Sequence, residues 1–126
     1  MLMTCNKLDL EKALVVTTAH VTKETAQKLN QIAAVNATIA IDLETVPEIV
    51  AIKENMDPWQ TEMPIVAGFQ YGWIVSTYLP EDKSSEDTGR PKDLEAVLEY
   101  ARQNDINLVL FDRDADPVED LKLYDW

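Results

Sequence analysis

An apolar run in LVLFDRDADP, residues 108 to 117, stops at three aspartates spaced two apart, Asp112, Asp114 and Asp116. Carboxylates at alternate positions can converge on a hard cation, as they do at the start of a calcium loop. The rest of that pattern is absent. Counting from Asp112, the sixth position, which needs Gly for a sharp turn, is Pro117, and the twelfth, which needs a bidentate Glu, is Leu123. Two expectations are left. Asp112 and Asp114 accept backbone N–H bonds in a tight turn, with Arg113 paired to a neighbouring carboxylate. Alternatively, because they follow the C-terminal end of a strand, they contribute to a ligand site of the kind open sheets place there.

His20 closes VVTTAH, just after an apolar run and just before Thr22. Histidine is the side chain best suited to proton transfer near neutral pH, so His20 with Asp112 and Asp114 defines one enzymatic candidate, a small hydrolase or metal-dependent enzyme. Against it, no nucleophile motif such as G-x-S-x-G is present, and a histidine packed at the start of a helix with a local hydrogen bond needs no chemistry. One Cys, Cys5, and one His exclude a thiolate zinc cage and an internal disulfide, and only Lys7 stands near Cys5 to activate it. Three glycines in no G-x-G-x-x-G or P-loop arrangement exclude nucleotide cradling by a glycine loop. No metal and no cofactor is expected.

These residues need elements to position them. ALVVTT (13–18) is a first strand, with Ala13 to Val16 continuously apolar as in a strand buried on both faces. Thr22 then caps a helix whose apolar positions Ala26, Leu29, Ile32 and Ala33 recur at helical spacing, ending near Asn36. ATIAIDLE (37–44) alternates Ile39, Ile41 and Leu43 and suits a half-buried strand. Residues 46–59 are ambiguous: Pro47 can open a helix, while Ile49, Val50 and Ile52 equally suit a strand. PIVAGFQYGWIVSTYL (64–79) holds two strands joined near Gln70 to Gly72, or one long bent strand that would place Phe69, Tyr71 and Trp73 on one face. PEDKSSEDTGRP (80–91) is an exposed loop. Pro91 opens a second helix, striped by Leu94, Val97, Leu98 and Ala101 and stopping near Asn104. INLVLF (106–111) is a strand that delivers the aspartates, and VEDLKLYDW adds an edge strand or folds its aromatic end onto the body.

With 126 residues, 46 % of them apolar, the expectation is one α+β domain spanning 1–126. Its mixed or mainly antiparallel sheet has four to five strands, with two helices on one face; a doubly wound parallel sheet is the alternative. Acidic residues outnumber basic ones 23 to 11, a net charge of -12. That charge repels phosphate backbones and anionic lipids, so neither nucleic acid nor a membrane is expected as a direct partner. No stretch reaches the length of a membrane helix and no signal peptide is evident, which with the single cysteine points to the cytoplasm.

TTAHVTKETAQKL, YGWIV, LFDRDAD and the terminal LYDW, in that order, resemble a family of short acidic bacterial proteins of unknown function, often borne on plasmids and other mobile elements. The resemblance covers both ends and the central strand, not residues 36–64, and Ala115 stands where the family usually has Gly. It implies no reaction. It does imply a context, evasion of host defence by occupying the nucleic-acid groove of a defence complex, which agrees in sign with the charge.

The leading expectation is therefore a non-enzymatic interaction protein, of the anti-restriction or anti-CRISPR kind, that engages a basic protein or nucleoprotein complex. Its acidic face comprises Glu81, Asp82, Glu86, Asp87, Asp93, Glu95, Asp112, Asp114 and Asp116. Aromatic residues beyond the needs of a small core, Trp59, Tyr124 and Trp126 among them, supply anchors. A homodimer formed through the aromatic strand is the third reading.

Overall fold

A computed structural model describes residues 12–40 and 46–126. Four strands form one mixed sheet: β1 (Ala13–Val16), β2 (Val66–Phe69), β3 (Gly72–Ser76) and β4 (Leu108–Asp112), in the order β1-β4-β3-β2. β1 runs parallel to β4, with Ala13 opposite Leu108; β4 and β2 both pair antiparallel with β3. The helices are α1 (Lys23–Ala40), α2 (Pro47–Glu54), α3 (Pro58–Glu62) and α4 (Lys92–Gln103), with a 3-10 turn at Thr18–His20. The α+β architecture matches the sequence expectation, with two small helices added.

Alternation along the strands decides where the core sits. Val16, Val109, Phe111, Trp73, Val75 and Val66 face one side and are buried there with Ala26, Leu29, Ile32 and Val35 of α1 and Leu94, Val97, Leu98 and Ala101 of α4. Each helix offers the apolar stripe its sequence promised.

Several expectations change. The strand at 37–44 is overturned at residues 37–40, where α1 continues; Ile41 and Leu43 fall outside the described residues, as does Cys5. Asn36 does not stop the helix because its side-chain amide donates to Val66 O at 3.2 Å, anchoring α1 to β2. Pro47 opens α2, so the ambiguous segment is helical. Phe69 and Trp73 lie on opposite faces, because a two-residue turn separates β2 from β3 and sets Gly68 against Trp73. Trp73 is buried, its indole N–H bonded to Asn30 Oδ1 at 2.7 Å, while Phe69 and Tyr71 are exposed.

Asp57 begins α3, exchanging capping bonds with Gln60, and also accepts a hydrogen bond from the Lys28 ammonium of α1. That bond, reinforced by the charge of Lys28 and by Trp59, holds the Asp57 carboxyl below its ordinary range. A lowered folded-state value stabilises above the unfolded value, near 3.9, and the contribution is lost as pH falls through the folded value. Urea denaturation should therefore show Lys28→Ala less stable than wild type near pH 6, with the gap closing below about pH 4. A gap independent of pH would contradict the pairing.

Candidate functional site

His20 is 1 % exposed, and both ring nitrogens have backbone partners. The Val118 N–H donates to Nε2 at 2.9 Å, which leaves Nδ1 protonated and donating to Lys122 O at 2.8 Å. This fixes a neutral tautomer with no lone pair free for a substrate proton or a metal. The ring works as a clip. Beside it, Tyr124 N–H donates to Ala19 O at 2.8 Å and the Trp126 indole to Val21 O at 3.0 Å. The C-terminal segment thus folds its aromatic end onto the body, and the edge-strand alternative is overturned. Replacing His20 by alanine strands two backbone groups, at roughly 1–3 kcal/mol for each left unsatisfied. Because Val118 is half-buried and Lys122 exposed, water recovers part of this, and the expected result for His20→Ala is a loss at the lower end of the summed range, about 2–3 kcal/mol, with faster proteolysis beyond Pro117 than elsewhere; unchanged cleavage there would contradict the clip.

The aspartate loop resolves into a turn. Asp112 Oδ1 accepts the Asp114 N–H at 2.9 Å, and Ala115 N–H returns to Asp112 O at 3.0 Å. Arg113 pairs with no carboxylate of the described residues, unlike the expectation: its guanidinium lies over the Tyr71 ring, 5.1 Å from the centroid. No group of three or more His, Cys, Asp or Glu able to hold a metal occurs among the described residues.

The proposed acidic face divides. Asp93, on the first turn of α4, accepts from Thr22 N–H at 2.7 Å and Thr25 Oγ1 at 3.0 Å, completing the cap of α1 in which Thr22 Oγ1 accepts the Thr25 N–H. Glu95, 7 % exposed, lies between Arg90 and Arg102, which also donate to the carbonyls of Tyr78 and Thr77. This buried cluster staples the exit of β3 onto α4. Asp87 accepts from the Ser84 hydroxyl at 2.9 Å but stays exposed, as do Glu81, Asp82, Glu86, Asp114 and Asp116. Those six keep their carboxylates at the surface.

Sequence reasoning missed a second surface. By alternation, Ala13, Val15, Leu108, Leu110, Ile74, Ala67, Phe69 and Ile65 point away from the helices. No described element covers them: Val15 is 48 % exposed, Ile74 37 % and Ile65 49 %. The expectation that Ala13 to Val16 is buried on both faces is thereby overturned, since β1 buries only its Val16 side fully. At the lower end Ile65, Tyr78 and Leu108 line a cleft of about 400 Å³. At the upper end Asp112 projects on the same side as Leu108 and Leu110.

Residues 13–126 match the model of a family described as a family of unknown function (DUF5983) C-terminal domain. No curated protein and no solved structure matches the chain. No helix of the described residues is long and apolar enough to cross a membrane.

Proposed function

The chain belongs to the DUF5983 family, whose description names no activity, and we propose that it is a non-enzymatic acidic interaction protein that binds a basic protein or nucleoprotein surface. The observation that carries this reading is charge. The chain is at -12, and Glu81, Asp82, Glu86, Asp87, Asp114 and Asp116 keep exposed carboxylates. Such a surface attracts the kind of basic groove that otherwise holds a polyanion. Inhibition of a nucleic-acid-binding defence complex, by anti-restriction or anti-CRISPR action, is the concrete form, with the cytoplasm as its place of work. The alternative of a hydrolase using His20, Asp112 and Asp114 gains no support, because each nitrogen of His20 and one oxygen of Asp112 is already bonded to backbone.

The test is capture from a lysate of the protein's own cells on the immobilised full chain, at roughly 50 and 300 mM salt. The expected result is a basic protein retained at low salt and released at high salt, as screening of exposed charge demands. Retention of no basic protein at either salt would sink the reading.

A further inference from the structure

The four strands of the described residues, spaced about 4.8 Å apart and some five residues long at about 3.3 Å each, make the sheet face that no described element covers roughly 19 Å by 17 Å. Its centre is a row of Val15, Leu110, Ile74 and Ala67, neighbours across the register, and none of them is charged. The β1–β4 pair adds a second observation. In all-parallel sheets such continuous apolar runs go with helices on both faces, and here ALVV and LVLF, the one parallel pair of a mixed sheet, have helices of the described residues on one side only. A helix of about 11 residues is about 17 Å long and about 10 Å wide, so one lies across this face with room beside it.

We infer that the sheet face left uncovered by the described residues is the docking surface for an amphipathic helix of a basic partner, which packs its apolar stripe on Val15, Leu110 and Ile74 and turns Lys or Arg at one end toward Asp112, Asp114 and Asp116. The inference rests on the reading of the chain as an acidic interaction protein and assigns that reading a surface. Docking completes a three-layer arrangement, with α1 and α4 on one side of the sheet and the partner's helix on the other. The cleft beside Ile65, Tyr78 and Leu108 takes a bulky apolar side chain from the end of the helix. Asp112, on the same face, and the exposed Asp114 and Asp116 beyond it complement basic residues at the opposite end.

A second copy of the chain is the competing occupant, and two quantities disfavour it. The face offers roughly 300 Å² of footprint, against about 800 Å² per partner in a standard stable interface. The missing area would have to come from the rest of the surface, and two chains at a net charge of -12 each repel one another. A basic partner is attracted by the same net charge.

The experiment uses the full chain and three synthetic peptides of about 18 residues. One has a leucine stripe at helical spacing with lysine elsewhere, one the same stripe with glutamate, and one the lysines with serine in place of leucine. Affinity is read by fluorescence anisotropy, and the contact surface by methyl chemical-shift changes in unmutated protein. The Leu/Lys peptide is expected to bind best and to shift Val15, Leu110 and Ile74, and Leu110→Gln or Ile74→Gln is expected to weaken it at least about tenfold. The methyl shifts locate the peptide even if a variant folds poorly.

Tight binding with shifts confined to α4 or the 80–91 loop overturns the docking surface but leaves the acidic-surface reading standing. Binding of neither lysine peptide overturns both. Equal binding of the glutamate peptide overturns the basic character of the partner. Light scattering that shows a dimer, dissociated by Leu110→Gln, overturns the inference in favour of a second copy.

Discussion

Replacing Glu95 by alanine is expected to destabilise the protein by about 3–5 kcal/mol, because it leaves two buried guanidinium groups without their shared carboxylate. Arg90 and Arg102 are 4 % and 17 % exposed at their side chains and cannot recover solvation without leaving the carbonyls of Tyr78 and Thr77. Against a total stability of roughly 5–15 kcal/mol for a domain of ordinary size, the loss is a third or more of the whole for all but the most stable domains. Glu99 is the internal control. It pairs with the same Arg102 at 2.9 Å but is 40 % exposed, so Glu99→Ala should cost less than about 1 kcal/mol. Urea denaturation of the two variants checks the pair. Equal effects would show that burial of the cluster is not what holds β3 to α4.

The second large effect lies at Gly72. A Cβ built there would sit 1.8 Å from the Phe111 carbonyl oxygen and 2.7 Å from its carbon, both backbone atoms of β4. No rotamer change relieves a clash with backbone, and β4 is held on both sides, by β1 and by β3. Gly72→Ala is therefore expected to cost more than about 4 kcal/mol or to prevent folding. Gly68→Ala, whose Cβ would meet only the Ala33 Cβ at 3.4 Å, should stay within about 1 kcal/mol. Thermal unfolding of both distinguishes the sites, and a Gly72→Ala protein that melts like wild type would contradict the strand register.

Much of this fold is legible in local patterns. Leu94, Val97, Leu98 and Ala101 mark α4 by spacing alone, and the Thr22 cap is found where its hydroxyl can reach the Thr25 N–H. The end of α1 is not legible, because Asn36 reads as a stop but spends its amide on Val66, a strand 30 residues away. The bare sheet face was hidden for a different physical reason. An edge strand with apolar residues on both sides reads as doubly buried, so Val15 gave the signal of a covered residue although nothing described covers it. That mismatch between pattern and burial among the described residues is the observation on which the docking proposal rests.

The acidic face was only half legible. Composition reports how many carboxylates exist but not which are consumed inside. Asp93 is drawn into the cap of α1, Glu95 into the arginine cluster and one carboxylate oxygen of Asp112 into its own turn. The exposed members of the set are those in the turn-rich stretches, where at most a local partner such as Ser84 engages them.

Occupation of a basic groove by the acidic surface is tested most directly by elution with a competing polyanion. Proteins from the protein's own cells, retained on the immobilised chain at low salt, are challenged with double-stranded DNA at the same ionic strength. If the acidic surface occupies a basic groove, the duplex releases the retained protein, because both compete for one set of Lys and Arg side chains. A retained protein that binds the duplex while staying on the chain would contradict it.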